Sequence, residues 1–449
     1  MNQKEVLSII GLGKLGSTML ACFAHKKWDV IGVDINPHFV ETINKGHSPI
    51  YEPLVEELIN ANENRIEATV EIEFAVLHSD VSFVIVPTPS ISEGNFSTKY
   101  VEDAVLGIAR ALREKDKYHV IVITSTVLPG DTARIAEMME KESGKKLGED
   151  FGVCYNPDFI ALGKIVRDFL NPDMILIGES DERAGAMVEE IHRKLVESDP
   201  PIYRMNFYNA ELSKITLNSY CTLKITFANT IAEICENMPG GDADVVLNAV
   251  GSDTRVGNKY FKGGLGYAGP CFPRDNRALI HTAQRYGVVN LFSSDTDRIN
   301  EYHKTERISK ILLQYLHDRG SHHLAVLGLS YKEDTPVVEE SVAIAVIKTL
   351  SKAGIECTVF DPAAMESAEE ALSGLDNITF ALSEYSCVKG VSVCFIATPW
   401  SQFKGLESKR LLSVMGSDPL ILDAWNVLPF DKGSDRPENQ LVVKRIGKN

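Results

Sequence analysis

Short, wholly apolar runs alternate with stretches of helical periodicity through the first part of the chain. The run Val6-Leu7-Ser8-Ile9-Ile10 has the pattern of a buried strand. Gly11-Leu12-Gly13-Lys14-Leu15-Gly16 follows, and apolar residues then recur at helical spacing to about Ala24. A second strand, Asp29-Val30-Ile31-Gly32-Val33, ends at Asp34. Strand, glycine turn, helix and strand predict a βαβ unit. More apolar runs lie at 81–86, 118–124, 151–154 and 174–177, with helical stretches between them. Strands that are apolar on both faces need cover on both faces, so this alternation predicts a parallel, doubly wound sheet.

The pattern then changes. Residues 209–237 are helical in periodicity with no Pro or Gly, more helix runs to Ala249, and helix returns from Ser293 to about Arg319. Strand patterning resumes at 323–328, followed by a helix near 342–353 and a strand at 357–360 ending in Asp361. Further strands lie at 391–396 and 420–422. GLGKLG…VDINP near the start and GLSYKE…FDPAA later look like divergent copies of one device. The predicted fold is α/β: two Rossmann-like doubly wound domains, 1–203 and 319–449, joined by a helical segment, 204–318, with a long helix. The tail after Gly433 is predicted to be loose.

Composition narrows the classes of function. The 449 residues are 44% hydrophobic and 24% charged, as in an ordinary globular protein. A formal net charge of −16 argues against nucleic acid or an anionic membrane as the main partner. No apolar run reaches the roughly 20 residues of a membrane span. The eight cysteines form neither a disulfide framework nor a zinc-type CxxC pair. Free thiols in a reducing cytoplasm, with no metal site, are therefore expected.

Chemistry enters at four places. In the first βαβ unit, Gly11 suits the tight turn, Gly13 lets backbone approach a pyrophosphate, and Gly16 lets helix and strand pack. Leu15 lies in the same turn, and the helix N-terminus attracts phosphate. Asp34 would accept hydrogen bonds from ribose hydroxyls and repel a 2′-phosphate, which points to NAD rather than NADP. Second, Val86-Pro87-Thr88-Pro89 and Ser125-Thr126-Val127-Leu128-Pro129-Gly130 follow strands, where ligand crevices form. Thr88 and Thr126 either line the cofactor or simply end strands. Third, Gly263, Gly264, Gly266 and Gly269 precede Cys271, with Asp275 four residues beyond. Such a loop exposes amides to a phosphate or sugar, and a thiol near a helix start ionises readily. The other reading is a buried cysteine in a tight turn. Fourth, Lys214 and Asn218 share one helix face at i and i+4, as oxyanion-binding groups or as a solvated face.

Together GLGKLG, VDINP, GHSPIYEP, VPTP, STVLPG, NPDF, NPDMILIG, ELSKITLNSY and GYAGPCFPRD resemble the UDP-glucose/GDP-mannose dehydrogenases, in family order from near residue 6 to about 400. The resemblance implies an NAD-dependent oxidation of the C6 alcohol of a nucleotide sugar to a carboxylate, in two hydride steps, and a homodimer or larger assembly formed on the long helix. It implies Cys271 as nucleophile, Lys214 and Asn218 at the oxyanion, and Asp275 and Thr126 about a catalytic water. It puts Asp158 where the family usually has a glutamate base. Arg255 matches an arginine that reaches substrate across the subunit boundary, and Lys332 one that contacts the nucleotide. Phe159, Tyr260 and Gly264 also go with the substrate.

Three departures stand out. Leu162 replaces a usual glutamate. Pro336, Val337 and Glu339 replace two aspartates and an arginine that touches the cofactor phosphates. Trp425 replaces a substrate arginine. An indole for a guanidinium is a change of chemistry. These changes leave the sugar and base open among UDP-glucose, GDP-mannose and UDP-N-acetylhexosamines. Two other classes remain: a two-electron dehydrogenase of the 6-phosphogluconate or hydroxyacyl type, and a non-catalytic nucleotide-sugar-binding protein.

Overall fold

A computed structural model describes residues 5–91, 94–429 and 441–449. The chain divides into two compact units, Met1–Thr216 and Leu217–Asn449.

The first unit is built on strands β1 (Val6–Ile10), β2 (Asp29–Val33), β3 (Ile66–Thr69), β4 (Val81–Val84), β5 (His119–Ile123), β6 (Phe151–Tyr155), β7 (Ile175–Glu179) and β8 (Ile202–Met205). Its helices are α1 (Lys14–His25), α2 (Pro37–Asn44), α3 (Val55–Ala61), α4 (Ile72–His78), α5 (Lys99–Leu112), α6 (Asp131–Ser143), α7 (Ile165–Leu170) and α8 (Glu182–Leu195). The strand order is β3-β2-β1-β4-β5-β6-β7-β8. The continuous apolar strands are explained by two cores, one on each face. Leu7, Ile9, Val30, Val120 and Val122 enter one; Ile10, Ile31, Val33, Ile121 and Ile123 enter the other. The expectation of a parallel sheet needs one correction: β6 and β7 pair antiparallel. The first six strands keep the 3-2-1-4-5-6 order, whose switch point lies between β1 and β4.

Helix α9 (Phe207–Asn237) spans 31 residues, as the lack of Pro and Gly predicts. It begins in the first unit and continues in the second. There follow α10 (Ala243–Gly251), α11 (Phe272–Arg285), α12 (Leu291–Glu301) and α13 (Arg307–Asp318), the last two joined by a π-type turn at Tyr302–Glu306. Then come β9 (His323–Leu327), α14 (Val342–Lys352), β10 (Glu356–Phe360), α15 (Met365–Ala371), β11 (Ile378–Phe380), α16 (Glu384–Cys387), β12 (Val393–Ile396), α17 (Ser408–Val414), β13 (Leu420–Asp423) and β14 (Val442–Arg445). The described pairings of this sheet are all parallel, in the order β11-β10-β9-β12-β13-β14. Ala228 and Ala232 of α9 and Ile308, Leu312 and Leu316 of α13 share a core with Leu324, Val326, Phe395 and Leu422. The loose tail predicted after Gly433 is corrected in part. Residues 433–440 lie outside the described residues, but β14 pairs with β13 because its backbone completes the sheet edge.

Candidate active site

The glycine turn of the first unit shows three different reasons for glycine. Gly11 has φ +102°, and a Cβ there would lie 2.3 Å from the Ile85 carbonyl oxygen. A Cβ on Gly16 would lie 1.7 Å from the Gly11 carbonyl oxygen, so α1 packs backbone to backbone on the turn. A Cβ on Gly13 would meet nothing within 4 Å. Gly13 is the N-cap of α1 and offers no side chain to the first-turn amides, leaving them for a ligand. Leu15 is half-buried in that turn. Asp34 is half-buried too. Its Oδ2 accepts the Leu12 N–H at 2.7 Å and its Oδ1 the Asn36 N–H at 2.8 Å, so each oxygen keeps a lone pair for a ribose hydroxyl. An open glycine, free helix amides and an available carboxylate fit a dinucleotide.

Two loops follow β4 and β5. The Ser125 hydroxyl accepts the Val86 N–H and donates to the Val86 carbonyl, both at 2.8 Å, knitting the loops together. Thr88 is buried and Thr126 half-buried. Sequence reasoning missed Glu211, which is fully buried on α9 and accepts the Gly130 and Thr132 N–H groups at 2.7 and 2.8 Å. It therefore tethers the Thr126 loop and the start of α6 to the helix that carries Lys214. Burial pushes its carboxyl up to about 7. Its place three residues before Lys214 was the available signal.

Lys214 is buried, which removes the solvated-face reading. Its ammonium donates to the Asp158 carbonyl and lies 4.6 Å from the centre of the Phe159 ring. The Oδ2 of the Asp158 carboxylate is buried without a hydrogen-bond partner. Desolvation lifts Asp158 to about 7, against the pull of Lys214, which suits a group that must take and give a proton near neutrality. A second missed residue, Glu52, holds this loop by accepting the Gly163 and Ile165 N–H groups, both at 3.0 Å.

Seven of the chain's eight cysteines are buried, and Cys271, in the second unit, is exposed. Burial raises the thiol pKa of Cys22, Cys357 and Cys387 to about 12, the behaviour of core groups. Cys271 is instead the N-cap of α11, where the helix amides favour negative charge, so the buried-turn reading falls. Asp275, fully buried one turn on, accepts the Asn218 amide at 2.6 Å and the Arg274 guanidinium at 3.1 Å. Asn218 is thereby fixed one helical turn from Lys214 on α9.

The glycine loop differs from the expectation of free amides. The Gly264 N–H donates to Asn229 and the Tyr267 N–H to Asn300, and the Trp425 ring fills the place where a Gly264 side chain would stand. Gly264 is thus a packing glycine, because its amide and its α-carbon face are both occupied. Tyr260, half-exposed, has φ +59° and meets Phe272 edge to face at 5.6 Å. Arg255 is highly exposed and held by Asp253 at 2.7 Å. Lys332 lies in the long loop after β9, next to Tyr331, whose ring packs on Gly269. Among the described residues, no cluster of His, Cys, Asp and Glu could hold a metal, and no helix is long and apolar enough to cross a membrane.

The comparisons with known proteins cover nearly the whole chain. Profiles of the UDP-glucose/GDP-mannose dehydrogenase family match as its NAD binding domain at residues 5–196, its central domain at 208–302 and its UDP binding domain at 325–430. The chain belongs to this family. It is therefore an NAD-dependent oxidoreductase. The UDP-glucose 6-dehydrogenase AglM of Haloferax volcanii is 34% identical over 90% of the chain and 93% of its own length. The GDP-mannose 6-dehydrogenase of Pseudomonas aeruginosa is 35% identical over 98% and 96%. The structure of a UDP-glucose dehydrogenase from Pyrobaculum islandicum superposes with a TM-score of 0.86 at 32% identity, over 100% of this chain and 98% of that one. Relatives with different sugars are about equally similar, so similarity alone does not choose the substrate. Of the three departures from the family pattern, Leu162 is half-buried, Glu339 is exposed, and the Trp425 indole donates to the Ala397 carbonyl at 2.9 Å.

Proposed function

We propose that this protein oxidises the C6 primary alcohol of a nucleotide sugar to the carboxylate, with UDP-glucose to UDP-glucuronate as the first choice. The observation that carries the reading is Cys271: an exposed thiol at the N-terminus of α11, in a chain whose other cysteines are buried. Gly11, Gly13, Leu15, Gly16, Asp34, Thr88 and Thr126 would hold NAD⁺, which would supply the hydride acceptor for each of two oxidations. Asp158 takes the hydroxyl proton as the alcohol becomes an aldehyde. The Cys271 thiolate adds to the aldehyde carbon, and the new oxyanion is met by Lys214 and Asn218. Loss of the second hydride leaves a thioester. Water, activated through Asp275, Thr126 or Asp158, then releases the acid and returns the thiol. Trapping on sulfur retains the aldehyde, and thioester hydrolysis makes the sequence effectively irreversible.

In this reading residues 1–203 bind NAD, 204–318 carry the cysteine loop and the dimer contact, and 319–449 hold the nucleotide. Arg255, Lys332, Tyr260 and Phe159 go with the substrate. Tyr220, Phe227 and Ile234, exposed at seven-residue intervals on α9, support a homodimer or larger assembly. A monomeric mass by sedimentation would remove that part. The seven buried cysteines, kept as thiols in the cores, support a cytoplasmic setting.

The test is NADH formation from NAD⁺ with UDP-glucose, UDP-galactose, UDP-N-acetylglucosamine and GDP-mannose, counting the sugar acid alongside. Two NADH per acid from one sugar is expected. One NADH per product would indicate a two-electron dehydrogenase, and binding without NADH a non-catalytic protein. Cys271→Ser should stop net acid formation, and acid formed by it at the parental rate would refute the covalent route.

A further inference from the structure

The glycine loop before Cys271 is held in a way that neither a phosphate cradle nor ordinary loop packing calls for. Two buried carboxamides each bracket its backbone with one acceptor and one donor. Asn229 of α9, 2% exposed, accepts the Gly264 N–H through Oδ1 and donates from Nδ2 to the Leu265 carbonyl, both at 2.9 Å. Asn300 of α12, 1% exposed, accepts the Tyr267 N–H at 2.8 Å and donates to the Tyr267 carbonyl at 3.1 Å. The glycines between and around them permit the approach. A Cβ on Gly263 would strike Ala232 at 2.6 Å, one on Gly266 would strike the Asn300 oxygen at 2.6 Å, and one on Gly269 would strike the Tyr331 ring at 2.5 Å.

Helix α12 also reaches both sides of the cysteine. Asp297, one turn before Asn300, accepts the Tyr267 hydroxyl at 3.1 Å on one oxygen and the Arg277 guanidinium at 3.2 Å on the other. Tyr267 precedes Cys271, and Arg277 follows it on α11. Arg277 and Lys304 both pair with Glu340, which has φ +56°. A residue held in the left-handed region persists where its surroundings over-determine it.

We propose that Asn229 and Asn300 are positioning residues, whose two-point brackets on the 264–267 backbone fix the place of the Cys271 thiol. The proposal rests on the reading of Cys271 as nucleophile. A carboxamide suits the task because its oxygen accepts while its nitrogen, on the same carbon, donates. Aspartate is isosteric but cannot donate, so each bracket loses one bond and places an oxygen against a carbonyl.

The experiment uses the full chain carrying Asn229→Asp, Asn300→Asp or both. UDP-glucose turnover, the rate of Cys271 alkylation by iodoacetamide and the melting temperature are measured together. Each variant is expected to lose about 10- to 100-fold in kcat with KM changed by less than about threefold, since small misplacement of a reacting atom costs this much. Alkylation of Cys271 should change several-fold, and the double variant should be little worse than the poorer single, as for residues acting as one unit. Parental kcat and alkylation rate in both single variants would overturn the proposal, as would losses that merely track unfolding. Because alkylation needs no substrate, that readout stands even if Cys271→Ser refutes the covalent route. If the variants do not fold, amide exchange of the parent decides. Gly264 and Tyr267 should exchange as slowly as the middle of α11, and fast exchange would overturn the proposal.

Discussion

The two sheets of this protein carry the same device in two states of use. In each, a strand ends in a glycine of positive φ, Gly11 or Gly328, and the neighbouring strand leads to an aspartate, Asp34 or Asp361. Asp34 is half-buried and accepts one hydrogen bond on each oxygen. Asp361 is 1% exposed and saturated. Its Oδ2 accepts the Leu329 and Ser330 N–H groups, the Ser330 hydroxyl and the Trp400 indole, and its Oδ1 the Ala363 and Ala364 N–H groups. The helices differ in the same sense. Helix α1 starts directly after its turn and leaves its amides uncapped, whereas α14 waits until Val342 and is capped by the Ser341 hydroxyl. One copy keeps hydrogen-bonding capacity for a ligand. The other has spent it on its own fold. Shared local sequence therefore marks shared architecture, and ligand binding follows from what is left unsatisfied.

The sharpest way to break this comparison is at the glycines of the first copy. Gly16→Ala should abolish the folded first unit, because its methyl would lie within bonding range of the Gly11 oxygen. Gly13→Ala should melt within a few degrees of the parent and lose about tenfold or more in NAD⁺ affinity. Circular dichroism and NAD⁺ titration separate the two, and a folded Gly16→Ala protein would contradict the packing described.

The aspartates come next. Asp361→Asn should cost about 3–5 kcal/mol in denaturant unfolding, since it turns a donor toward N–H groups in a buried hub. Asp34→Asn should cost about 1 kcal/mol or less in stability but raise the KM for NAD⁺ roughly 10- to 100-fold, the worth of charged hydrogen bonds. Equal effects of the two on stability would erase the distinction.

Asp158 extends the series to a carboxylate with an unpartnered oxygen. Its pKa rises from 3.8 to about 7 on folding. The folded state therefore holds its proton more tightly than the unfolded chain. Stability from this group is present below about pH 4, falls as pH rises through 7, and is level above that. Asp158→Asn should remove that slope, gaining at most about 4 kcal/mol over the parent at pH 8 relative to pH 4. Parallel stability–pH curves for the two proteins would show that Asp158 is not desolvated as described.

Much of the site was legible in the chain because its signals are local. Gly11, Gly13, Gly16 and Asp34 act within one βαβ unit, whose geometry the apolar pattern already dictates. Cys271 could be singled out by the glycines and proline around it, but its exposure could not be read, since a tight turn buries or exposes a thiol according to what packs on it. Glu52, Glu211, Asn229 and Asn300 were illegible for a related reason. Each is a polar residue at an ordinary position, and its partner lies far away in sequence: Gly163 for Glu52, Gly130 for Glu211, Gly264 for Asn229 and Tyr267 for Asn300.

The sequence by itself determined the α/β class, the two doubly wound sheets, the long helix and the place of the dinucleotide turn. These follow from hydrophobic period and from backbone conformations open only to glycine, which short segments specify. Tertiary structure decided the antiparallel β6–β7 pairing, the ordered strand β14, which aspartate stays free to bind and which amides of the glycine loop are taken. Those outcomes depend on hydrogen-bond satisfaction between distant segments, and a polar group's availability is defined only once every neighbour that could satisfy it is in place.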